Sequence, residues 1–131
     1  MNKIEKRIIG LIQMACTNDP KQNLQNAIDS IREAAKKGAQ IICLPELFLS
    51  SYFCQTENPE HFSLAEPIPG PTSNSLAKLA KELETVLIVP LFEKRTEGIY
   101  HNSAVVIDAD GSLPGTYRKM HIPDDPCFYE K

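Results

Sequence analysis

Glu46 is the residue whose type and place most clearly could do chemistry. It closes the run Gln40-Ile41-Ile42-Cys43-Leu44-Pro45-Glu46 and is followed by Leu47 and Phe48. A strand that apolar is normally covered on both faces, so a carboxylate at its end sits where burial stops. Partial desolvation there raises its proton affinity and suits it to act as a base near neutral pH. A second stretch, Tyr117-Arg118-Lys119-Met120-His121-Ile122-Pro123, supplies a cation directly after another strand. His121 reads as a loop histidine with its own hydrogen bond rather than as a substrate contact.

The remaining chemistry-bearing residues form no pattern of their own. Cys16, Cys43, Cys54 and Cys127 make no CxxC pair and have no ligand-type spacing with His61, His101 or His121. A metal or redox site built on them is therefore the weakest reading, and a disulfide framework is not expected in a reducing compartment. Cys43 lies in the apolar run and reads as a small buried hydrophobe.

These residues must be held by a single domain, because 131 residues can bury one real core but not two. Composition is that of a globular chain, 42% hydrophobic and 24% charged, and the net charge of −3 with no basic stripe argues against nucleic-acid binding. No apolar run approaches a membrane span, and residues 7–15 are broken by Gly10 and Gln13, a poor signal peptide. The chain reads as cytoplasmic.

Residues 7–15 read as a strand. Asp19 is a good N-cap with Pro20 at the first helical position, and Leu24, Ala27, Ile28, Ile31, Ala34 and Ala35 then recur at helical spacing until Gly38. Residues 40–46 form the next strand, giving a βαβ unit with parallel strands. Residues 49–72 read as a long irregular loop, a second helix runs from about residue 73 to 84, and residues 85–92 form a third strand. Residues 100–108 and 113–118 make a hairpin around Asp110-Gly111. The fold class is α/β with helices on one face of the sheet, while Val86, Ile88, Val105 and Ile107 still need cover on the other.

Seven motifs in order along the chain resemble the nitrilase, or carbon–nitrogen hydrolase, superfamily. They are Gly10-Leu-Ile-Gln-Met-Ala15, Asn23-Leu24, Leu44-Pro-Glu-Leu-Phe48, Pro69-Gly-Pro71, Tyr100-His-Asn-Ser-Ala104, Asp108-Ala-Asp-Gly111 and Tyr117-Arg-Lys119. Within it, residues 117–126 followed by Phe128-Tyr-Glu-Lys131 are most similar to the N-carbamoylputrescine amidohydrolases, with the β-ureidopropionase group as nearest neighbour. The resemblance implies the N-terminal part of an αββα sandwich, with residues 1–131 an incomplete portion of that domain. It also implies a Glu–Lys–Cys triad, in which Glu46 is the general base and Lys119 stabilises the oxyanion. Glu130 matches a second glutamate that orients substrate or water.

The nucleophilic cysteine of the family lies beyond the lysine and matches none of the four cysteines, so these 131 residues alone are expected to be inactive. Cys127 stands where relatives carry glycine, which strains a turn that requires positive φ. Cys43 is three residues from Glu46, an odd separation that on a strand points the two side chains apart. The implied reaction is hydrolysis of an N-carbamoyl amine or amide, without metal or organic cofactor, by a homo-oligomer with no nucleic-acid or membrane partner. Asp124-Asp125 would suit a cationic substrate. The alternatives are a β-ureidopropionase-like or other amidase, and a non-catalytic interaction module that pairs with a separate cysteine-bearing half.

Overall fold

Asp19 starts the first helix as its type predicts. In the computed structural model, which describes residues 6–130, its carboxylate accepts from the amides of Lys21 and Gln22 at 3.0 and 3.3 Å. Pro20 fills the first helical position of α1 (Pro20–Lys36). α1 follows β1 (Ile9–Leu11) and leads to β2 (Ile41–Cys43), which pairs parallel to β1. Asn23 is the buried polar residue of α1: its amide clasps Thr17 through Oδ1 at 2.9 Å and Nδ2 at 2.7 Å, pinning the loop that enters the helix.

The stretch after β2 is less irregular than its composition suggests. Asn58 caps a 3-10 helix at Pro59–Leu64, accepting from the Glu60 amide at 3.0 Å. The second helix, α2 (Pro71–Leu83), begins two residues earlier than expected because Pro71 fits its first turn and Ser73 hydrogen-bonds back to Gly70. Gly70 is required there, since a Cβ would lie 2.1 Å from the Pro67 carbonyl oxygen. That close approach is the physical content of the Pro-Gly-Pro motif.

β3 (Val86–Thr96) runs parallel to β2 and then turns back at Glu97-Gly98 into antiparallel β4 (Ile99–Ile107). The polar end of β3, Glu93-Lys94-Arg95-Thr96, hid four residues of strand and this tight hairpin from periodicity alone. β4 pairs antiparallel with β5 (Gly115–Arg118), as the Asp110-Gly111 signal predicts. Gly111 has φ +85 and passes so close to α2 that a Cβ would meet the Ala77 carbonyl at 2.8 Å. The sheet order is β1-β2-β3-β4-β5, mixed, with β1 and β5 at its edges. A second, two-stranded sheet joins β6 (Asp124–Asp125) to β7 (Phe128–Tyr129).

Both helices cover one face of the main sheet. There Ile42, Leu87, Val89, Val105 and Ile107 pack fully buried against Ala27, Ile31, Leu76 and Ala80. Burying each of the larger side chains contributes roughly 1.5–3 kcal/mol. This corrects one expectation, because Val105 and Ile107 lie under the helices and need no further cover. Strand alternation instead puts Ile9, Leu11, Ile41, Cys43, Val86, Ile88 and Val106 on the opposite face, where Ile9 and Leu11 are exposed. Cys43 is thus half-buried on this open face and not a core residue. No helix among the described residues is long and apolar enough to cross a membrane.

Candidate active site

The site is assembled by three chain segments far apart in sequence. β2 ends at Cys43, so Glu46 stands three residues beyond it in a turn, and the alternation argument relating it to Cys43 does not apply. The turn is strained: Leu47, buried, has φ +51. Lys119 follows β5 immediately, and its amide continues the ladder by bonding the Asn102 carbonyl at 2.9 Å. Glu130 follows β7, where its amide bonds the Pro123 carbonyl and that of Tyr129 bonds Cys54. The turn between β6 and β7 is Pro126-Cys127, with Cys127 at φ +69, the conformation for which glycine would be preferred.

The three predicted residues meet. Lys119 Nζ donates to Glu46 Oε1 at 3.0 Å and to Glu130 Oε2 at 2.9 Å. Asn102 Nδ2 donates to the same two oxygens, at 2.7 and 3.1 Å. Tyr52 supplies a further donor, its hydroxyl lying 2.8 Å from Glu130 Oε1. An ammonium and an amide therefore bridge two carboxylates, one of which is capped by a phenol. The sequence carried a signal for Asn102 in Tyr100-His-Asn-Ser-Ala104, but no signal for Tyr52.

Burial falls on Glu130 and not on Glu46, where the sequence placed the desolvation. The Glu46 side chain is 53% exposed and that of Glu130 only 5%. Desolvation therefore falls on Glu130, where it opposes ionisation; bonds from Lys119, Asn102 and Tyr52 outweigh it and hold the carboxyl below its ordinary range. The bond to Glu130 raises the affinity of Lys119 for its proton, against the opposing effect of burial and with help from Glu46. Tyr52 is likewise pushed up, by burial first and then by its bond to Glu130. The arrangement holds a permanent ammonium beside one open and one closed carboxylate. Such a set can accept a proton at Glu46 and stabilise a negative oxygen at Lys119.

A cleft of about 970 Å³ opens beside this cluster, lined by Lys119, Asn102, Glu130 and Cys54 and by the aromatic side chains of Phe53 and Phe92. Cys54 is the buried thiol of the chain, its pKa pushed up to about 11 by burial and by Glu130 and Glu46, with Lys119 offsetting part of that. It is a neutral thiol at physiological pH and a poor nucleophile. Asp124 and Asp125 are exposed on β6 and do not line the cleft, whereas Glu57 does. His121 is exposed on the loop after β5. Among the described residues no group of three or more His, Cys, Asp or Glu side chains could hold a metal ion. Lys131, the last residue of the quoted motif, and residues 1–5 of the predicted domain lie outside the described residues.

Comparison with known proteins supplies the context for this geometry. The chain is 47% identical over 124 residues to N-carbamoylputrescine amidase from Oryza sativa subsp. japonica, covering 94% of this chain and 41% of the relative. It is 37% identical over 123 residues to citrullinase from Francisella tularensis, covering 94% of this chain and 43% of that protein. Among solved structures it superposes on a carbon-nitrogen hydrolase from Helicobacter pylori G27 with a TM-score of 0.89 at 44% identity, over 95% of this chain and 43% of the other. The α/β architecture is therefore part of a nitrilase-type fold, and the chain spans about two fifths of the length of the relatives it matches. The carbon-nitrogen hydrolase profile matches residues 8–131, nearly the whole sequence and every segment that builds the Glu46–Lys119–Glu130 cluster, and the chain belongs to that family.

Proposed function

We propose that this chain carries the proton-transfer and oxyanion-binding part of an amidohydrolase site acting on N-carbamoyl amines. The observation that carries the reading is Lys119 held between Glu46 and Glu130 at 3.0 and 2.9 Å. Glu46 takes the proton from a cysteine thiol, and the thiolate attacks the carbamoyl carbon. Lys119 faces the oxygen that becomes negative, and Glu130 orients substrate or water. Collapse of the tetrahedral intermediate expels one nitrogen as amine or ammonia, which takes up the proton from Glu46. Water then cleaves the S-acyl group, and the carbamic acid released decomposes to CO2 and the second nitrogen. The net change is one carbamoyl amine and one water to amine, CO2 and ammonia.

The nucleophilic cysteine of this scheme comes from outside these 131 residues. Cys54, closest to the cluster in chemistry, is held as a thiol by burial and two carboxylates. Similarity to plant N-carbamoylputrescine amidases favours a carbamoylated diamine as the substrate. The reading is completed by the expectations of a cytoplasmic, homo-oligomeric enzyme of polyamine biosynthesis that needs no cofactor. The test is ammonia release from N-carbamoylputrescine. The 131-residue polypeptide alone should give none, and a polypeptide that also supplies the family's cysteine should be active. In the active form Lys119→Ala should lower kcat by about 10²–10³. Wild-type turnover by Lys119→Ala would overturn the assignment of roles.

A further inference from the structure

Asn102 and Lys119 share a feature beyond the oxygens they bond: each is the neighbour in sequence of a residue held by one buried carboxylate. That carboxylate belongs to Glu93 on β3, 2% exposed. It accepts from Ser103 Oγ on β4 at 2.6 Å and from Arg118 Nε and Nη2 on β5 at 2.8 and 2.6 Å. Ser103 and Arg118 are directly paired across the two strands. Successive strand residues point to opposite faces. Glu93 thus ties β4 to β5 on the helix-covered face, and the same two backbone segments present Asn102 and Lys119 on the other.

Residue type makes this more than core filling. The preceding positions of β3 on this face are Leu87, Val89 and Leu91, all buried and apolar. Breaking that series with a carboxylate is costly where packing alone would serve. A bidentate guanidinium–carboxylate fork, however, fixes direction as well as distance. β5 has need of it, being a four-residue edge strand with a ladder on one side only. Burial opposes ionisation of Glu93, but Arg118 and Ser103 outweigh it, so the fork is charged at neutral pH.

We infer that Glu93 is a positioning residue for the hydrolase site, setting the separation and angle of Lys119 and Asn102 through its clamp on Arg118 and Ser103. The inference rests on the roles proposed above for Glu46 and Lys119. It is tested in the catalytically complete polypeptide with Glu93→Gln, with Arg118→Lys, and with Leu87→Ala as a buried control at the far end of β3. Glu93→Gln should lower kcat by about 10²-fold, the usual effect of an ångström-scale misplacement, with KM unchanged. By carbon-13 NMR of labelled lysine, the Lys119 ammonium should titrate lower than in the wild type.

Arg118→Lys keeps the charge but loses the fork, and on a side chain 37% exposed it folds even where Glu93→Gln does not; it should shift both readouts the same way. Leu87→Ala should lower the Tm while leaving kcat per folded molecule and the Lys119 titration unchanged. Folded Glu93→Gln or Arg118→Lys with wild-type kcat and an unmoved Lys119 titration would overturn the inference. Should Lys119→Ala itself retain full activity, the assignment of the site fails instead.

Discussion

Replacing Lys119 with methionine keeps most of the side chain's stem and removes its charge, which isolates what the ammonium does for the fold. The contact with Glu46 lies largely in solvent, 53% exposed on the carboxylate side, and contributes at most about 1 kcal/mol. The contact with Glu130 is different, because that carboxylate is only 5% exposed. Removing one partner of such a pair costs about 3–5 kcal/mol, and the 30% exposure of Lys119 puts the expected loss near the lower end, about 3 kcal/mol at pH 7.

The loss should depend on pH with a definite sign. Folding depresses the Glu130 pKa, so its contribution is present above the unfolded value of about 4.3 and is lost as pH falls through the folded value. In the variant the burial remains while the largest favourable partner is gone, so Glu130 protonates at higher pH and relieves its unpaired charge. Lys119 behaves oppositely. Its pKa is raised by folding, so its contribution is full below the unfolded value of about 10.4 and is lost as pH rises through the folded one. The stability gap between wild type and Lys119→Met should therefore be widest between about pH 5 and 10 and close at both ends. Urea denaturation followed by far-UV circular dichroism across that range measures it. A gap below about 0.5 kcal/mol, or one flat down to about pH 3, would show that Lys119 is a surface lysine without an electrostatic role.

Two further outcomes follow from the cysteines. With its pKa near 11, Cys54 should react with a thiol reagent about 10²–10³ times more slowly than an unperturbed cysteine at pH 7, from its thiolate fraction alone; labelling of Cys54 at the rate of the exposed Cys127 would contradict its burial. Cys127→Gly should relieve the left-handed conformation at φ +69, worth about 1–2 kcal/mol, against about 0.5–1 kcal/mol of added chain entropy. A net gain of up to about 1.5 kcal/mol should appear as a higher urea midpoint, and a lower midpoint would refute the strain argument.

Much of the scaffold was legible because local chemistry dictates it. Asp19-Pro20 starts α1 whatever surrounds it, since the cap uses its own side chain and the proline's fixed φ. Asp110-Gly111 turns because glycine accepts positive φ next to Ala77. Periodicity failed where polarity and strand coincided. The third strand reads as ending at residue 92, yet β3 runs on to Thr96 and Glu93 is buried there by Arg118 and Ser103, partners 25 and 10 residues away.

For the site, sequence alone determined residue types and family membership: a glutamate after an apolar strand, a lysine after a second, and a glutamate after Phe128-Tyr129. It put the desolvated carboxylate at Glu46, whereas folding buries Glu130 and leaves Glu46 open. It had no means of finding Tyr52, whose only claim to the site is a hydroxyl 2.8 Å from a residue 78 positions away. Hydrophobic patterning is a property of neighbours along the chain, and one sequence can report it. Burial and charge pairing are set by which distant segments meet, so only the tertiary structure decided which carboxylate is closed, which donors hold it, and how Lys119 is fixed between the two.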